Sequence, residues 1–390
     1  MDVKVVDLYN IRCPKCGTVI RYSAKDKQIV CPSCGFVYEN DFMKDDYQKA
    51  WEEKSFSQYL REIQRFDKEQ SNLVIRCVTC GAEVEFDRPV ISSFCPYCGN
   101  PIVLKQEQIP RPIKPQAIVP FEITKEQAHE KYRLWAKRRW LAPQKFRLFP
   151  VSHKNLNSLY IPYWTFDAQT ITSYTAKCGT YYYVTKTYYQ NGQKKTQTIR
   201  KIRWTRKNGI VYLDFDDILV RATDKLPIYP YQYDYDLTKL EPFDQRLLSG
   251  YYSEAYTIDL SQSFGVAKNQ IHREIMQAIK QDLNCDEQVI EKYNIRYRNV
   301  TFKSILLPVY YSIYKFKKKE YPFVINGQTG KVYGKYPISV WKIIFIILFV
   351  LLALFLLFVY SEYDFDFSAF FNDFINYYLS YFLEISSFFC

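Results

Sequence analysis

Eight of the eleven cysteines form four Cys-x-x-Cys pairs, each followed by Gly, and this spacing is typical of a metal centre. Together the pairs supply Cys13, Cys16, Cys31, Cys34, Cys77, Cys80, Cys95 and Cys98. Two residues between thiolates let both sulfurs reach one ion at about 2.3 Å, and two such turns complete a tetrahedron. Fourteen residues separate the inner cysteines in each unit, so residues 11–35 and 75–99 form an internal repeat. The sequence therefore predicts two zinc ribbons, each with four cysteine ligands around one structural Zn²⁺ ion.

The predicted zinc sites are closed, because four thiolates leave no coordination position for water. The Gly after each pair permits a positive φ that turns backbone N–H groups towards sulfur. Disulfides are one alternative, but they need an oxidising compartment. A redox Cys-x-x-Cys is another, but it would occur singly on a βαβ unit. Cys178 and Cys285 stand apart from the pairs, and we expect them to be ordinary buried thiols.

The two ribbons differ in charge between their inner cysteines. The first is mainly basic, whereas the second carries Glu83, Glu85 and Asp87 against Arg88 alone. Phosphate binding depends chiefly on Lys and Arg. The second ribbon is therefore predicted to suit a protein partner better than nucleic acid.

A run without charge or helix breaker, residues 343–360, predicts a transmembrane helix over 341–360. A buried core helix is the alternative, but such helices rarely lack polar residues over this length. Seven lysines lie between positions 315 and 342, and only acids follow the run. The positive-inside rule therefore predicts a single-pass protein of the inner membrane, with the large N-terminal part cytoplasmic and the tail outside. The first ten residues lack an apolar core, so no signal peptide is expected.

The segment between the second ribbon and the apolar run predicts an α+β domain with helices packed on an antiparallel sheet. Three Asn-Gly dipeptides between Tyr-, Val-, Ile- or Thr-rich runs predict hairpin turns at Asn191-Gly192, Asn208-Gly209 and Asn326-Gly327. Residues 160–220 are accordingly expected to form an antiparallel meander. Helices are predicted over 261–283 and after a capping box formed by Thr124 and Gln127.

The predicted organisation has seven parts. In order they are a zinc ribbon (1–39), a helical or charged linker (40–74), a second zinc ribbon (75–104), a Pro-rich linker (105–120), the α+β domain (121–337), the transmembrane helix (341–360) and an acidic, aromatic amphipathic tail (361–390). The tail is predicted to lie in the outer interface, to pack on another subunit's span or to re-enter the membrane.

No acid occurs between Asp167 and Asp214, and this window is rich in basic and aromatic residues. Its candidate anionic-surface residues are Lys194, Lys195, Arg200, Lys201, Arg203, Arg206 and Lys207. Charge with stacking could bind single-stranded nucleic acid. The same residues could instead lie against the anionic cytoplasmic leaflet or face only solvent. Membrane is favoured over nucleic acid because only a short segment separates the sheet from the span.

No catalytic constellation emerges from the sequence. The three histidines, His129, His153 and His272, are far apart. The stretch "NGQTGK" lacks the spacing and the terminal Ser or Thr of a P-loop. We therefore predict a non-enzymatic protein with no small-molecule substrate.

Several sequence blocks resemble one known family. The blocks "IVPFEITKEQA", "LYIPYWTFDA", "LEPFDQRLLSGYYSEAY" and "YPFVINGQTGKVYG" are similar to bacterial membrane proteins with a transcription-factor-IIB-type zinc ribbon. The resemblance covers roughly residues 75–360 and implies four cysteine ligands, a β-rich domain and a following span. Some such proteins accompany phage-shock-protein-A-like membrane-stress components, and others carry names borrowed from the primosomal helicase. The N-terminal ribbon and the Phe-rich tail depart from the commoner pattern.

The leading hypothesis is a membrane-anchored, non-enzymatic adaptor whose zinc ribbons present a cytoplasmic protein-binding surface, with membrane-stress recruitment as one role. The alternative is a membrane-tethered nucleic-acid-binding protein related to replication or transcription. Salt-dependent binding of DNA or RNA distinguishes the second hypothesis from the first.

Overall fold

The computed structural model describes eleven segments of the chain, namely residues 4–6, 12–38, 51–63, 73–77, 83–85, 90–103, 115–148, 156–190, 193–224, 234–317 and 319–363. Cys80, Asp87, Arg88 and His153 lie outside them, as does the predicted amphipathic tail from position 364 onward. The chain divides into two compact units. One comprises residues 1–132 and 151–335, and the other comprises 133–150 and 336–390.

The first unit is built mainly from β-strands, in keeping with the high Tyr and Phe content. The described strands are β1 (Lys4–Val6), β2 (Arg21–Ser23), β3 (Gln28–Val30), β4 (Val37–Tyr38), β5 (Lys54–Ser55), β6 (Leu73–Arg76), β7 (Glu83–Glu85), β8 (Val90–Phe94), β9 (Pro101–Val103), β10 (Ala117–Ile118), β11 (Asn157–Gln190), β12 (Gln193–Arg221), β13 (Glu241–Pro242), β14 (Tyr252–Glu254), β15 (Glu287–Phe316), β16 (Lys319–Asn326) and β17 (Val332–Gly334). They form one mixed sheet of eleven strands and two three-stranded sheets, β2–β3–β4 and β1–β6–β7.

The described helices are few. They are α1 (Phe56–Ile63), α2 (Lys125–Lys137), α3 (Gln144–Arg147), α4 (Leu260–Leu283) and α5 (Val340–Tyr363). The predicted α+β class is confirmed at the level of a mixed fold dominated by sheet, with cysteine clusters near the N-terminus and an apolar C-terminal helix.

The largest sheet is organised around one long hairpin. Strands β11 and β12 are paired continuously from Tyr163 opposite Arg221 to Gln190 opposite Gln193, apart from one bulge. The predicted turn at Asn191-Gly192 falls between these last two residues, outside the described segments. The predicted multi-stranded meander is therefore replaced by a single hairpin.

The expected turn at Asn208-Gly209 is wrong, because both residues lie inside β12. Gly209 pairs with Tyr174 of β11, and the tyrosine ring covers the glycine. A Cβ at Gly209 would lie 2.5 Å from Tyr174 Oη, so the position requires a residue without a side chain. The glycine here provides close approach rather than a turn. The turn predicted at Asn326-Gly327 is confirmed between β16 and β17.

Strand β15 holds the sheet together. It pairs antiparallel with β11 and β16 and parallel with β10. Its central residues are buried, and Ile305, Leu307 and Val309 share a hydrophobic cluster with Ile161 of β11. The core of the sheet is therefore built where β15 pairs with β11, two strands that are distant in sequence.

Helix α4 covers one face of this sheet. Asp259 caps its N-terminus by accepting a hydrogen bond of 2.9 Å from the Gln262 N–H, and Asn284 ends it in the left-handed conformation at φ 41°. One side of the helix is buried against β11 and β12, through Ile271, Ile275, Ile279 and Leu283. Full burial of an aliphatic side chain contributes about 1.5–3 kcal/mol. The helix predicted over 261–283 is confirmed.

Helix α2 begins at the predicted capping box. The Gln127 N–H donates to Thr124 Oγ1 at 3.3 Å, and the Thr124 N–H donates to Gln127 Oε1 at 2.8 Å. In the first unit, the Tyr132 ring stacks on Phe323 with ring centroids 4.3 Å apart.

The second unit contains α3 and the apolar helix α5. Trp135 packs edge-on against Phe146 and Tyr336, and the Arg139 guanidinium lies over the Trp135 ring at 4.9 Å. Within α5, Val340–Phe358 has a mean hydropathy of 3.0 and none of it is buried. In the part of the chain that is described, this is the one helix long and apolar enough to cross a membrane.

Candidate metal centres and the cationic hairpin

The first cysteine cluster brings all four predicted ligands together. The sulfurs of Cys13, Cys16, Cys31 and Cys34 lie within 4.8 Å of one another. Cys13 Sγ is 3.6 Å from Cys34 Sγ, and Cys16 Sγ is 3.4 Å from Cys31 Sγ. Four sulfurs bound tetrahedrally at 2.3 Å from one ion are separated by roughly 3.8 Å. The cage therefore fits a single four-coordinate metal ion.

The two turns of this cluster have the same backbone geometry. Gly17 and Gly35 both adopt φ 70°, as the sequence predicts. The Gly17 N–H donates to the Cys13 carbonyl at 2.9 Å, and the Gly35 N–H donates to the Cys31 carbonyl at 3.0 Å. Each turn thus presents two thiols on one side because its glycine permits the left-handed conformation.

The second cluster repeats this arrangement. The sulfurs of Cys77, Cys95 and Cys98 also lie within 4.8 Å of one another, with Cys77 Sγ 3.7 Å from Cys98 Sγ. The fourth predicted ligand, Cys80, lies outside the described residues. Gly99 adopts φ 68°, and its N–H donates to the Cys95 carbonyl at 2.9 Å. This cluster can also hold a metal ion.

The thiols of the first cluster differ in acidity. Hydrogen bonding with the Thr18 side chain, 3.4 Å from Cys16 Sγ, lowers the pKa of Cys16 to about 6. For Cys34, a hydrogen bond from the Phe36 backbone acts in the same direction, but desolvation and the neighbouring thiols raise its pKa to about 12. Negative charge is therefore shared unequally among crowded thiols. A divalent cation would remove this conflict by stabilising all four thiolates.

The first ribbon is hydrogen-bonded to the large sheet unit. Ser249 Oγ donates to the Ile20 carbonyl at 2.6 Å. The Tyr22 hydroxyl donates to the Phe121 carbonyl at 3.2 Å, and the Tyr22 N–H donates to the Ser249 carbonyl at 3.3 Å. Ile20 and Tyr22 are both buried. The position of the first cage is therefore set by the body of the unit.

The second ribbon contributes strands to the large sheet itself. Strand β8 pairs antiparallel with β14, and Ser92 Oγ donates to the Tyr251 carbonyl at 2.9 Å. Phe94 packs edge-on against Tyr252 with centroids 4.8 Å apart. At the outer end of the ribbon, between Cys95 and Cys98, Tyr97 is 73% exposed. The turn that carries two ligands therefore also presents an aromatic side chain to solvent.

A third cluster consists of carboxylates and lies beside a buried lysine. Oxygens of Glu53, Asp167 and Asp216 lie within 4.8 Å of one another. Lys303 is 4% exposed, and its Nζ lies 3.2 Å from Glu53 and 3.1 Å from Asp217. Burial and the neighbouring Glu53 raise the pKa of Asp167 to about 7. The lysine ammonium already supplies positive charge here, and no sequence spacing indicated the group.

Cys178 and Cys285 form a disulfide, so the expectation of two separate buried thiols is wrong. Their Cα atoms are 5.8 Å apart although 107 positions separate them in the sequence. Helix α4 runs back along the sheet, and its end meets the middle of β11. The pair was missed because sequence spacing identifies only cysteines that are close along the chain.

The seven predicted anionic-surface residues all lie on β12, but they are not equivalent. Arg206 lies 3.7 Å from Glu291 of β15, and Lys207 Nζ donates to the Leu283 carbonyl at the end of α4 at 3.1 Å. These two cations are engaged at the base of the hairpin. The other five lie farther out on β12, namely Lys194, Lys195, Arg200, Lys201 and Arg203.

No family model and no solved structure matches the chain. The chain is similar to "Uncharacterized protein YdjG" of Bacillus subtilis (strain 168), with 26% identity over 344 residues. The match covers 86% of this chain and 92% of that protein, so the likeness extends across nearly the whole of both.

Proposed function

We propose that the protein is a membrane-anchored, non-enzymatic adaptor in which two zinc ribbons present a cytoplasmic surface for a protein partner. The observation that carries the proposal is the occurrence, in one chain, of a four-cysteine cage, a second cluster with three described cysteines and a C-terminal helix apolar enough to cross a membrane. The family resemblance in the sequence adds recruitment in membrane stress as the cellular setting.

Zinc is the metal that best suits these cages. All-sulfur tetrahedral sites select Zn²⁺ or iron. Zn²⁺ has no redox chemistry and no geometric preference of its own, so it serves structural sites in short segments. Bound Zn²⁺ would hold strands β2 and β3 and the Cys95–Cys98 turn in place. The ligands leave no open coordination position, which supports a structural rather than a catalytic role.

The charge distribution supports a cytoplasmic location for the large unit. Seven lysines lie at positions 315–342, before the apolar run 343–360, and only acids follow that run. Thiolate cages also require reduced cysteines, which the cytoplasm maintains. The Cys178–Cys285 disulfide is a bond more common in oxidising compartments. The eight cysteines of the Cys-x-x-Cys pairs and the lysine asymmetry both support the cytoplasmic side, and a topology reporter fused after position 390 tests the assignment.

The exposed end of the second ribbon is the proposed contact surface. Tyr97 projects into solvent from the ligand turn, and tyrosine is enriched at the centres of protein interfaces. Strand β7 carries Glu83 and Glu85 and pairs with β6, the strand that leads to the first ligand Cys77. The exposed tyrosine and the acidic sequence of this ribbon together suit a partner with an apolar and basic patch.

Affinity capture with the full chain in mild detergent tests this proposal. Tyr97→Ala is expected to abolish capture of the partner while the metal content stays at two ions per chain. Tyr212→Ala is the matched control, because Tyr212 is 69% exposed in the same unit but lies on β12. Identical capture by wild type, Tyr97→Ala and Cys95→Ser would contradict the proposal. Salt-dependent capture of DNA or RNA in place of protein would favour the alternative function.

A further inference from the structure

The end of the long hairpin extends beyond the rest of the sheet. Strand β15 pairs with β11 only as far as Gly179 opposite Glu287, whereas β11 and β12 remain paired out to Gln190. We call residues 180–190 and 193–203 the hairpin tip. With about 3.3 Å per residue, the tip extends roughly 35 Å past the last residue of the third strand.

The tip alternates tyrosines and cations in direct cross-strand register. Four of its residue pairs join a tyrosine to Lys or Arg, namely Tyr182–Lys201, Tyr183–Arg200, Tyr188–Lys195 and Tyr189–Lys194. Successive residues of a strand point to opposite faces. Each face of the tip therefore carries two of these pairs.

The aromatic rings of the tip are exposed. Tyr183 is 68% exposed and Tyr189 is 75% exposed. Guanidinium groups lie over two further rings, with Arg200 4.3 Å from the centre of Tyr181 and Arg203 5.3 Å from that of Tyr182. These contacts hold the cations at the ring faces without burying either group.

The tip has no compensating negative charge of its own. Residues 180–203 contain six Lys or Arg and no Asp or Glu. The nearest acids in the described register lie at its base, where Asp286 accepts a 2.8 Å hydrogen bond from the Tyr181 N–H. The tip therefore carries a net positive charge that no carboxylate of its own sequence offsets.

We infer that the hairpin tip binds the headgroups of anionic phospholipids at the surface of the bilayer. Phosphates attract the cations, and tyrosine is favoured at the membrane–water interface, where its ring and its hydroxyl meet different surroundings. The tyrosine–cation pairs lie on both faces of the tip, and this favours lipid headgroups over nucleic acid as the ligand. A single nucleic-acid strand follows one face or groove, whereas a ribbon within the headgroup layer meets phosphates on all sides.

The backbone limits how deeply the tip enters. Beyond Gly179, both outer edges of the two-stranded tip lack a neighbouring strand in the described sheet. Unpaired N–H and C=O groups are costly in hydrocarbon but are hydrated among headgroups. The tip therefore lies in the headgroup layer and does not cross the bilayer.

This inference rests on the membrane anchoring in the proposed function. Each Lys or Arg near an anionic surface raises the association constant about fivefold. Replacing Lys194, Lys195, Arg200 and Lys201 with Gln would therefore weaken the contact by roughly several hundredfold, if the four contributions are independent.

Photo-crosslinking in the intact chain tests the inference. The full-length protein with p-benzoylphenylalanine at Tyr189 is reconstituted in nanodiscs of phosphatidylcholine alone or with added phosphatidylglycerol. Mass spectrometry is expected to detect lipid adducts at position 189 when phosphatidylglycerol is present. The yield should fall at least tenfold in phosphatidylcholine, at high salt, or in the four-residue Gln variant.

Two controls define the specificity of this result. The same probe at exposed Tyr212 is expected to yield few lipid adducts. A second variant replaces four exposed cations outside the tip, namely Lys268, Arg273, Lys280 and Lys292. This variant should give the same yield of lipid adduct at position 189 as the wild type. Equal yields at both probe positions, equal yields in both lipids, or preferential crosslinking to added RNA would each overturn the inference.

The test separates this inference from the proposed function. Resistance to alkaline extraction establishes that the chain is inserted, and capture that depends on Tyr97 establishes the adaptor surface. If both persist while position 189 gives no lipid adduct, only the lipid contact fails.

Discussion

Cys178 and Cys285 join the end of helix α4 to strand β11 two residues before the hairpin tip begins. Two hydrogen bonds lie beside the disulfide. Lys207 Nζ donates to the Leu283 carbonyl, and the Tyr181 N–H donates to Asp286. The helix, the disulfide and these bonds fix the base from which the tip extends.

The disulfide should make a measurable contribution to stability. Closing a loop of this length reduces the entropy of the unfolded chain, and such bonds typically stabilise by about 2–4 kcal/mol. Cys178→Ser is expected to lower the free energy of unfolding of the detergent-solubilised chain by that amount. Chemical denaturation monitored by tryptophan fluorescence measures the change.

Reductant provides the control for this prediction. Dithiothreitol should destabilise the wild type and leave the Cys178→Ser/Cys285→Ser variant unaffected, provided that zinc is kept in excess. A wild-type protein that alkylates at both cysteines without reduction would contradict the assigned bond.

Metal content should follow the two cages independently. Plasma mass spectrometry is expected to find two Zn²⁺ ions per chain in the wild type and one in Cys16→Ser or Cys95→Ser. Because the ligands must be deprotonated to bind the metal, acidification should release both ions. Cys178→Ser is the matched control, since it removes a cysteine but should retain both ions.

Gly209 and Tyr174 should be energetically coupled. Gly209→Ala places a Cβ within 2.5 Å of the tyrosine hydroxyl, and overpacking of this kind costs about 1–3 kcal/mol. Tyr174→Ala also destabilises because the ring is buried. The double variant is expected to be more stable than the sum of the two changes predicts, as measured in a double-mutant cycle. Strict additivity would show that the ring does not require the glycine.

Asp167 should make stability depend on pH. Burial, followed by the neighbouring Glu53, raises its pKa from 3.8 to about 7, so the folded protein binds more protons than the unfolded chain between these values. Stability from this group is therefore present at acidic pH and is lost as pH rises through 7. Asp167→Asn should remove the dependence and be more stable than wild type at pH 8, by about 1–2 kcal/mol after solvent screening.

The comparison between Asp167→Asn and wild type must be made at each pH, because acid also affects the cages. The lowered pKa of Glu53, about 2, does not change its charge above pH 5. A difference between the two proteins that is constant from pH 5.5 to pH 8 would contradict the prediction.

Four of the local sequence patterns predicted the local structure correctly. The Cys-x-x-Cys-Gly turns, the Thr124–Gln127 capping box, helix α4 and the apolar helix each depend on residues within a few positions of one another. Their geometry follows from backbone conformation and short-range hydrogen bonds. These features could therefore be derived from the sequence.

Long-range relationships could not be predicted in the same way. The Cys178–Cys285 bond and the carboxylates around Lys303 join residues that only the sheet topology brings together. The Asn208-Gly209 dipeptide carries a strong turn signal, but its surroundings in the sheet determine its conformation. Packing of the Tyr174 ring prevailed over local turn preference at that position.

The long-range pairings of strand β15 determine when the sheet can form during synthesis of the chain. It pairs with Ser55 and with Ala117, residues made long before it, and α5 follows it after a short hairpin. Non-local pairings of this kind slow folding, because loop closure precedes the contacts that stabilise it. During translation, β5 and β10 cannot pair with β15 until residues 287–316 have been synthesised. The sheet is therefore completed at nearly the moment when the apolar helix emerges from the ribosome.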